Sequence, residues 1–233
     1  MSRSLLRGKQ RLKDQTQFDP ARKKSIQCQL PDWPDLAIFT PNMDLEDQIN
    51  QWFIPLSCQE KTLRSAYQEL QSFGMKQDDV PYIIQMVENP KFDLPGFDIF
   101  HGATNLQTHD YLHILLGRGI RPKDEAFVIG FTMGSTDRVS TTEERLFSFF
   151  TKYLYPKNYR FSDSDLRVFR DATKLGYVSD CEALHQVDYK EFLDWPLDRV
   201  RSHLRIEEDL LRAYYAIEKR RFPESLESQR LLS

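Results

Sequence analysis

The stretch NLQTHDYLHILLGRGIRPKDEAF, residues Asn105–Phe127, carries two histidines four apart, His109 and His113. Eleven residues separate the second histidine from Glu125 in a run that is otherwise largely apolar. On one helix ending at Gly117, His109 and His113 project from the same face about 6 Å apart along the axis. GRGI then offers a tight reversal, and Pro122 suits the first position of a second helix. Two helices running antiparallel about Gly119, a residue free to take unusual turn dihedrals, bring Glu125 back beside His113. The pattern therefore delivers two imidazoles and a carboxylate to one point, or else it is ordinary polar decoration on two helices.

As a site, the donor set suits a divalent metal: zinc first, with iron, manganese or magnesium open. Asp110 lies about 100° round the helix from His109. It is a candidate fourth ligand, an acceptor that fixes a histidine tautomer, or a general base on bound water. His101, eight residues upstream of His109, is expected to stand outside the group. His185 and His203 read as surface residues on charged helices.

Around this centre the chain reads as helical. In CQEKTLRSAYQELQSFG, Leu63, Tyr67 and Leu70 recur at helical spacing and Gly74 offers a stop. DDVPYIIQMVENP reads as a short helix, and KFDLPGFDIFHGATN as a loop entering the motif. STTEERLFSFFTKYLYP opens with Ser140 three residues before Glu143, a capping-box spacing. SDSDLRVFRDATKLG repeats it with Ser162 and Asp165 and closes at Gly176. WPLDRVRSHLRI places Pro196 at a first helical position. EEDLLRAYYAIEKRR has acids first and bases last, as a helix dipole prefers. AFVIGFTMGS, residues 126–135, is apolar on most sides, and Gly130 and Gly134 leave one flank bare. That flank suits an apolar tunnel, close packing by another helix, or plain burial.

The 233 residues, 40% hydrophobic and 29% charged, suit one folded domain with a tail. Its boundaries are read as a basic arm and strap over 1–40, a helical domain over 41–222 and a C-terminal tail over 223–233. In the arm, SLLRGKQRL fits a basic helix on a lipid surface or a solvated terminus. A net charge of −3 gives no global attraction to nucleic acid. Cys28, Cys58 and Cys181 have no CxxC pairing, which argues against a disulfide framework and for a reducing compartment. The chain lacks both the apolar block of a secretory signal and the signatures of a dinucleotide fold, a P-loop or a nucleophile elbow.

The residues His109, Asp110, His113 and Glu125, as HDxxH, eleven residues, then E, resemble the signature of the Coq-four family of ubiquinone (coenzyme Q) biosynthesis proteins. ELQSFGMKQDDVPYIIQMVENP upstream is similar to the family's segment before the motif. VDYKEFLDWPLDRVRSHLRI, with Trp195-Pro196-Leu197, Val200-Arg201 and Leu204, resembles its tail. The resemblance spans roughly residues 60–206, and the first forty residues depart from it.

The resemblance implies an all-α domain with a helix-turn-helix metal site at His109, Asp110, His113 and Glu125. It also implies an apolar channel for a polyprenyl chain and a peripheral place on a membrane beside other quinone-biosynthesis proteins. That place is the cytoplasmic face of the inner membrane in a bacterium, or the matrix side of the mitochondrial inner membrane in a eukaryote. The expected activity is decarboxylation coupled to hydroxylation at carbon one of a prenylated hydroxybenzoate, with Asp110 as the catalytic residue. The alternative is a non-catalytic scaffold that binds the lipid precursor and organises the other enzymes. The aromatic-rich helices fit a hydrophobic ligand or a homodimer interface.

Overall fold

A computed structural model describes residues 51–72, 104–136, 147–148, 151–152 and 160–233. These are mostly helical, with no strand; an isolated antiparallel bridge joins Thr62 and Pro196. The helices are α1 (Leu63–Gln71), α2 (Leu106–Leu116), α3 (Pro122–Gly134) and α4 (Asp163–Val178), then α5 (Leu197–His203), α6 (Glu208–Arg221) and α7 (Leu226–Gln229). Two 3₁₀ turns, Leu184–Gln186 and Tyr189–Phe192, connect α4 to α5.

Local chemistry explains most of the boundaries. The Thr62 hydroxyl accepts from the Ser65 N–H at 3.2 Å and starts α1. Asn105 does the same for α2, taking the Thr108 N–H at 3.0 Å. The Ser162–Asp165 capping box opens α4 as its spacing predicts. Pro122 is at the start of α3, while Pro196 is the cap of α5 and stands one position outside the helix. In α6, Glu208 and Asp209 begin the helix and Lys219, Arg220 and Arg221 finish it.

The apolar helix α3 is buried chiefly against α4. A Cβ at Gly130 would fall 2.4 Å from the Phe169 carbonyl oxygen, and one at Gly134 would fall 2.1 Å from that of Thr173. Gly176 answers from the other side: a Cβ there would meet the Phe131 carbonyl at 2.2 Å. Of the three uses weighed for the bare flank of α3, close packing by another helix is the one seen, with α4 against it. One expectation is corrected. Gly176 does not stop α4, which runs on to Val178, because the glycine serves close approach and not a left-handed turn.

Residues 223–233, set apart in sequence as a tail, are packed onto the domain. Leu231 and Ser228 are buried, and Ser228 Oγ donates to Glu218 Oε1 at 2.9 Å. Lys219 Nζ donates to the Leu231 carbonyl at 2.8 Å. The cysteines also depart from expectation: Cys58 is disulfide-bonded, while the Cys181 Sγ accepts from Ser179 Oγ at 2.9 Å. No described helix is long and apolar enough to cross a membrane. The basic arm, Gly74, the helix read in DDVPYIIQMVENP, His101 and the Ser140 capping box lie outside the described residues.

Candidate metal centre

The end of α2 is held with unusual thoroughness. Gly117 takes a left-handed conformation, φ 66°, and the Arg118 N–H donates to the His113 carbonyl at 2.9 Å. The fully buried Arg201 guanidinium then donates to the carbonyls of Leu115 at 2.9 Å and Ile114 at 3.4 Å. It also reaches the carbonyls of Leu56 at 3.2 Å and Cys58 at 3.3 Å. The Tyr215 hydroxyl donates to the Leu116 carbonyl. A buried helix terminus needs such partners, since its last carbonyls have none within the helix. Here a cation and a phenol supply them.

Gly119 is not the left-handed pivot that the sequence suggests. Among the described residues the positive-φ glycine is Gly117, and what Gly119 needs is space. A Cβ on it would lie 2.0 Å from Arg230 Nη2 and 2.5 Å from the Trp52 carbonyl. Its own carbonyl accepts the His113 Nδ1–H at 2.6 Å.

That bond fixes the chemistry of His113. A carbonyl can only accept, so Nδ1 carries the proton, and in the neutral ring Nε2 presents a lone pair. This Nε2 stands 2.9 Å from His109 Nε2 and 3.3 Å from Glu125 Oε1. Glu125 Oε2 in turn stands 2.8 Å from His109 Nε2. The ligand atoms of His109, His113 and Glu125 thus converge, as the helical spacing predicts. Glu125 spans both rings and lies nearer His109 than the simple reversal would place it.

Acceptors packed this closely call for a cation or a shared proton between them. Ligands about 2.1 Å from a metal are about 3.0 Å apart at right angles and about 3.4 Å apart at the tetrahedral angle. The observed separations lie within a few tenths of an ångström of that range, so the donor set fits a divalent ion. Burial works to raise the Glu125 carboxyl, but His113 and His109 outweigh it and hold the group well below the usual carboxylate range. His113 is buried, whereas His109 and Glu125 keep partial exposure, so the cluster is closed at one end and accessible at the other.

Asp110 is not brought into this group. It is buried beside it, with its Oδ2 accepting from the Gln71 side-chain amide of α1 at 3.3 Å. Burial pushes its carboxyl up to about 6, against the pull of both histidines. The tautomer-fixing role weighed for Asp110 is filled, for His113, by the Gly119 carbonyl. His203 is exposed, as expected, and packs against the Phe192 and Trp195 rings. His185 is partly buried.

Sequence reasoning missed the buried ion network behind the turn. Arg118 pairs with Glu218 through Nη1–Oε1 at 3.0 Å and Nη2–Oε2 at 2.6 Å. Its guanidinium lies 3.9 Å from the Phe127 ring centroid and 4.3 Å from that of Tyr215. Asp124, one residue before Glu125, lies 3.7 Å from Arg118 and is paired with Arg230 from the C-terminal segment. The available signal was an arginine between two glycines, in a turn joining two apolar helices. No family model, curated protein or solved structure matches the chain.

Proposed function

We propose that the chain holds a divalent metal through His109, His113 and Glu125 and acts in quinone biosynthesis on a polyprenylated aromatic acid. The observation that carries this reading is the meeting of two imidazoles and one carboxylate from the HDxxH and Glu positions at the spacing of the resembled signature. Two histidines and a carboxylate are a donor set used by catalytic zinc and by ferrous iron alike. When bound, such an ion supplies Lewis acidity toward the carboxylate and phenol of the head group. Coupled hydroxylation also needs an electron acceptor, which zinc cannot be, so iron with oxygen or a partner protein would provide it.

The protein's own groups have separable tasks. The Gly119 carbonyl keeps the His113 lone pair directed into the cluster. The partly exposed edge formed by His109 and Glu125 is the side on which a head group would approach. Asp110, buried beside the ligands with its carboxyl pushed up to about 6 by that burial, would be the group that takes or gives a proton there. The prenyl chain would lie elsewhere than on the glycine flank of α3, which α4 occupies. Peripheral membrane attachment, a homodimer and association with other quinone-biosynthesis proteins belong to the same proposal.

The test is to incubate the protein, loaded in turn with zinc and with ferrous iron, with a prenylated 4-hydroxybenzoate, oxygen and an electron donor, and to follow release of carbon dioxide. Turnover that is lost in His109→Ala/His113→Ala supports the reading. Tight binding of the prenylated acid without turnover would assign the chain to the scaffold role, and absence of both would overturn the proposal.

A further inference from the structure

Asp124 and Glu125 are consecutive residues in the first turn of α3, so their side chains diverge by about 100°. Glu125 faces the imidazoles, and Asp124 faces the buried guanidinium groups of Arg118 and Arg230. Arg230 also lies flush against Gly119, whose carbonyl orients His113. One side chain from the C-terminal segment therefore pairs with the residue before Glu125 and fills the space beside Gly119. Arg230 is itself confined: its guanidinium stands 4.8 Å from the Phe53 ring centroid, and Nη1 is 3.5 Å from the Gln51 carbonyl.

We propose that Arg230 is a positioning residue for the metal centre, and that docking of residues 225–233 sets the affinity of the site. This rests on the metal-centre reading above. The segment has anchorage apart from Arg230: Ser228 on Glu218, Lys219 on the Leu231 carbonyl, and Gln229 Nε2 on the Lys219 carbonyl at 2.8 Å. Loss of the guanidinium thus leaves the segment attached, but frees Asp124 and the Gly119 backbone to shift. Asp124 would also remain buried beside Arg118 with one of its two cations removed. Residues that support a metal ligand from behind commonly change affinity by about 10–100-fold when removed.

The experiment titrates full-length wild type, Arg230→Met, Arg230→Lys and Asp124→Asn/Arg230→Met with Co²⁺ and records each thermal transition. Arg230→Met should bind Co²⁺ about tenfold or more weakly while still unfolding cooperatively. Arg230→Lys should recover part of that loss, and the double variant should be no weaker than Arg230→Met alone. Linkage is reciprocal, so Co²⁺ added to the wild type should slow amide exchange in residues 225–233, but not at the exposed end of α4 near Tyr177. This second arm decides the matter even if Arg230→Met does not fold. Co²⁺ affinity within twofold of wild type in Arg230→Met, or unchanged exchange in residues 225–233, overturns the inference alone. A wild type that binds no Co²⁺ overturns the metal-centre reading and this inference with it.

Discussion

His113 Nδ1 donates to the Gly119 carbonyl at 2.6 Å, and this places His113 Nε2 2.9 Å from His109 Nε2. The turn between α2 and α3 is therefore part of the site and not merely its connector. A methyl group on Gly119 must displace both Arg230 and the Trp52 carbonyl. We predict that Gly119→Ala costs about 1–3 kcal/mol of stability and weakens Co²⁺ binding. Denaturant unfolding and metal titration measure the two effects. A variant unchanged in both contradicts this role for the turn.

The Arg118–Glu218 pair joins the turn to α6 with both side chains fully buried. Glu218→Ala leaves a guanidinium in the interior with Asp124, at 3.7 Å, as its remaining carboxylate among the described residues, and should cost about 3–5 kcal/mol. Arg118→Met/Glu218→Leu removes both charges and should cost clearly less than the sum of its single changes. A double-mutant cycle by urea unfolding supplies the comparison. Additive single effects would show that the pair is not coupled.

Packing of α3 on α4 depends on the bare backbone at Gly130 and Gly134. Gly134→Ala puts a methyl group 2.1 Å from the Thr173 oxygen and forces the helices apart. A loss of about 1–3 kcal/mol is expected despite the gain in helix propensity. Thermal melts of Gly134→Ala and Gly130→Ala check it, and a rise in either midpoint would contradict the close approach.

Asp110 gives the metal-free protein a pH signature. Its carboxyl is raised from 3.8 to about 6, so between these values the native state holds a proton that the unfolded chain releases. Stability therefore falls as pH rises through that window, by roughly 3 kcal/mol at most. Asp110→Asn removes this dependence. With chelator present, the variant should match the wild type near pH 4 and exceed it near pH 7. An equal difference at both values would show that the carboxylate is not destabilised by its surroundings.

The parts of this molecule legible in sequence are those governed by short-range rules. The helical period aligns His109 with His113, Ser162 starts a helix by capping, Gly117 ends one, and the reversal returns Glu125. What escaped depends on partners far along the chain. Asp124 meets Arg230 across 106 positions, and Arg118 meets Glu218 across 100. No local pattern announces such pairs. The glycines show the same division: Gly117 is required by its dihedral angle, whereas Gly119, Gly130, Gly134 and Gly176 are required by neighbours that only the folded chain brings near. Asp110, next to His109 in sequence, diverges from it by about 100° round the helix and accepts from Gln71 of another helix.

The central claim is that His109, His113 and Glu125 form one metal-binding unit. Elemental analysis of the purified full-length protein beside Glu125→Ala and His109→Ala/His113→Ala tests it most directly. A single divalent transition metal per wild-type chain is expected, with its loss from both variants while they remain folded. A wild type free of metal after exposure to zinc, iron and manganese, or folded variants that retain the same metal content, would contradict it.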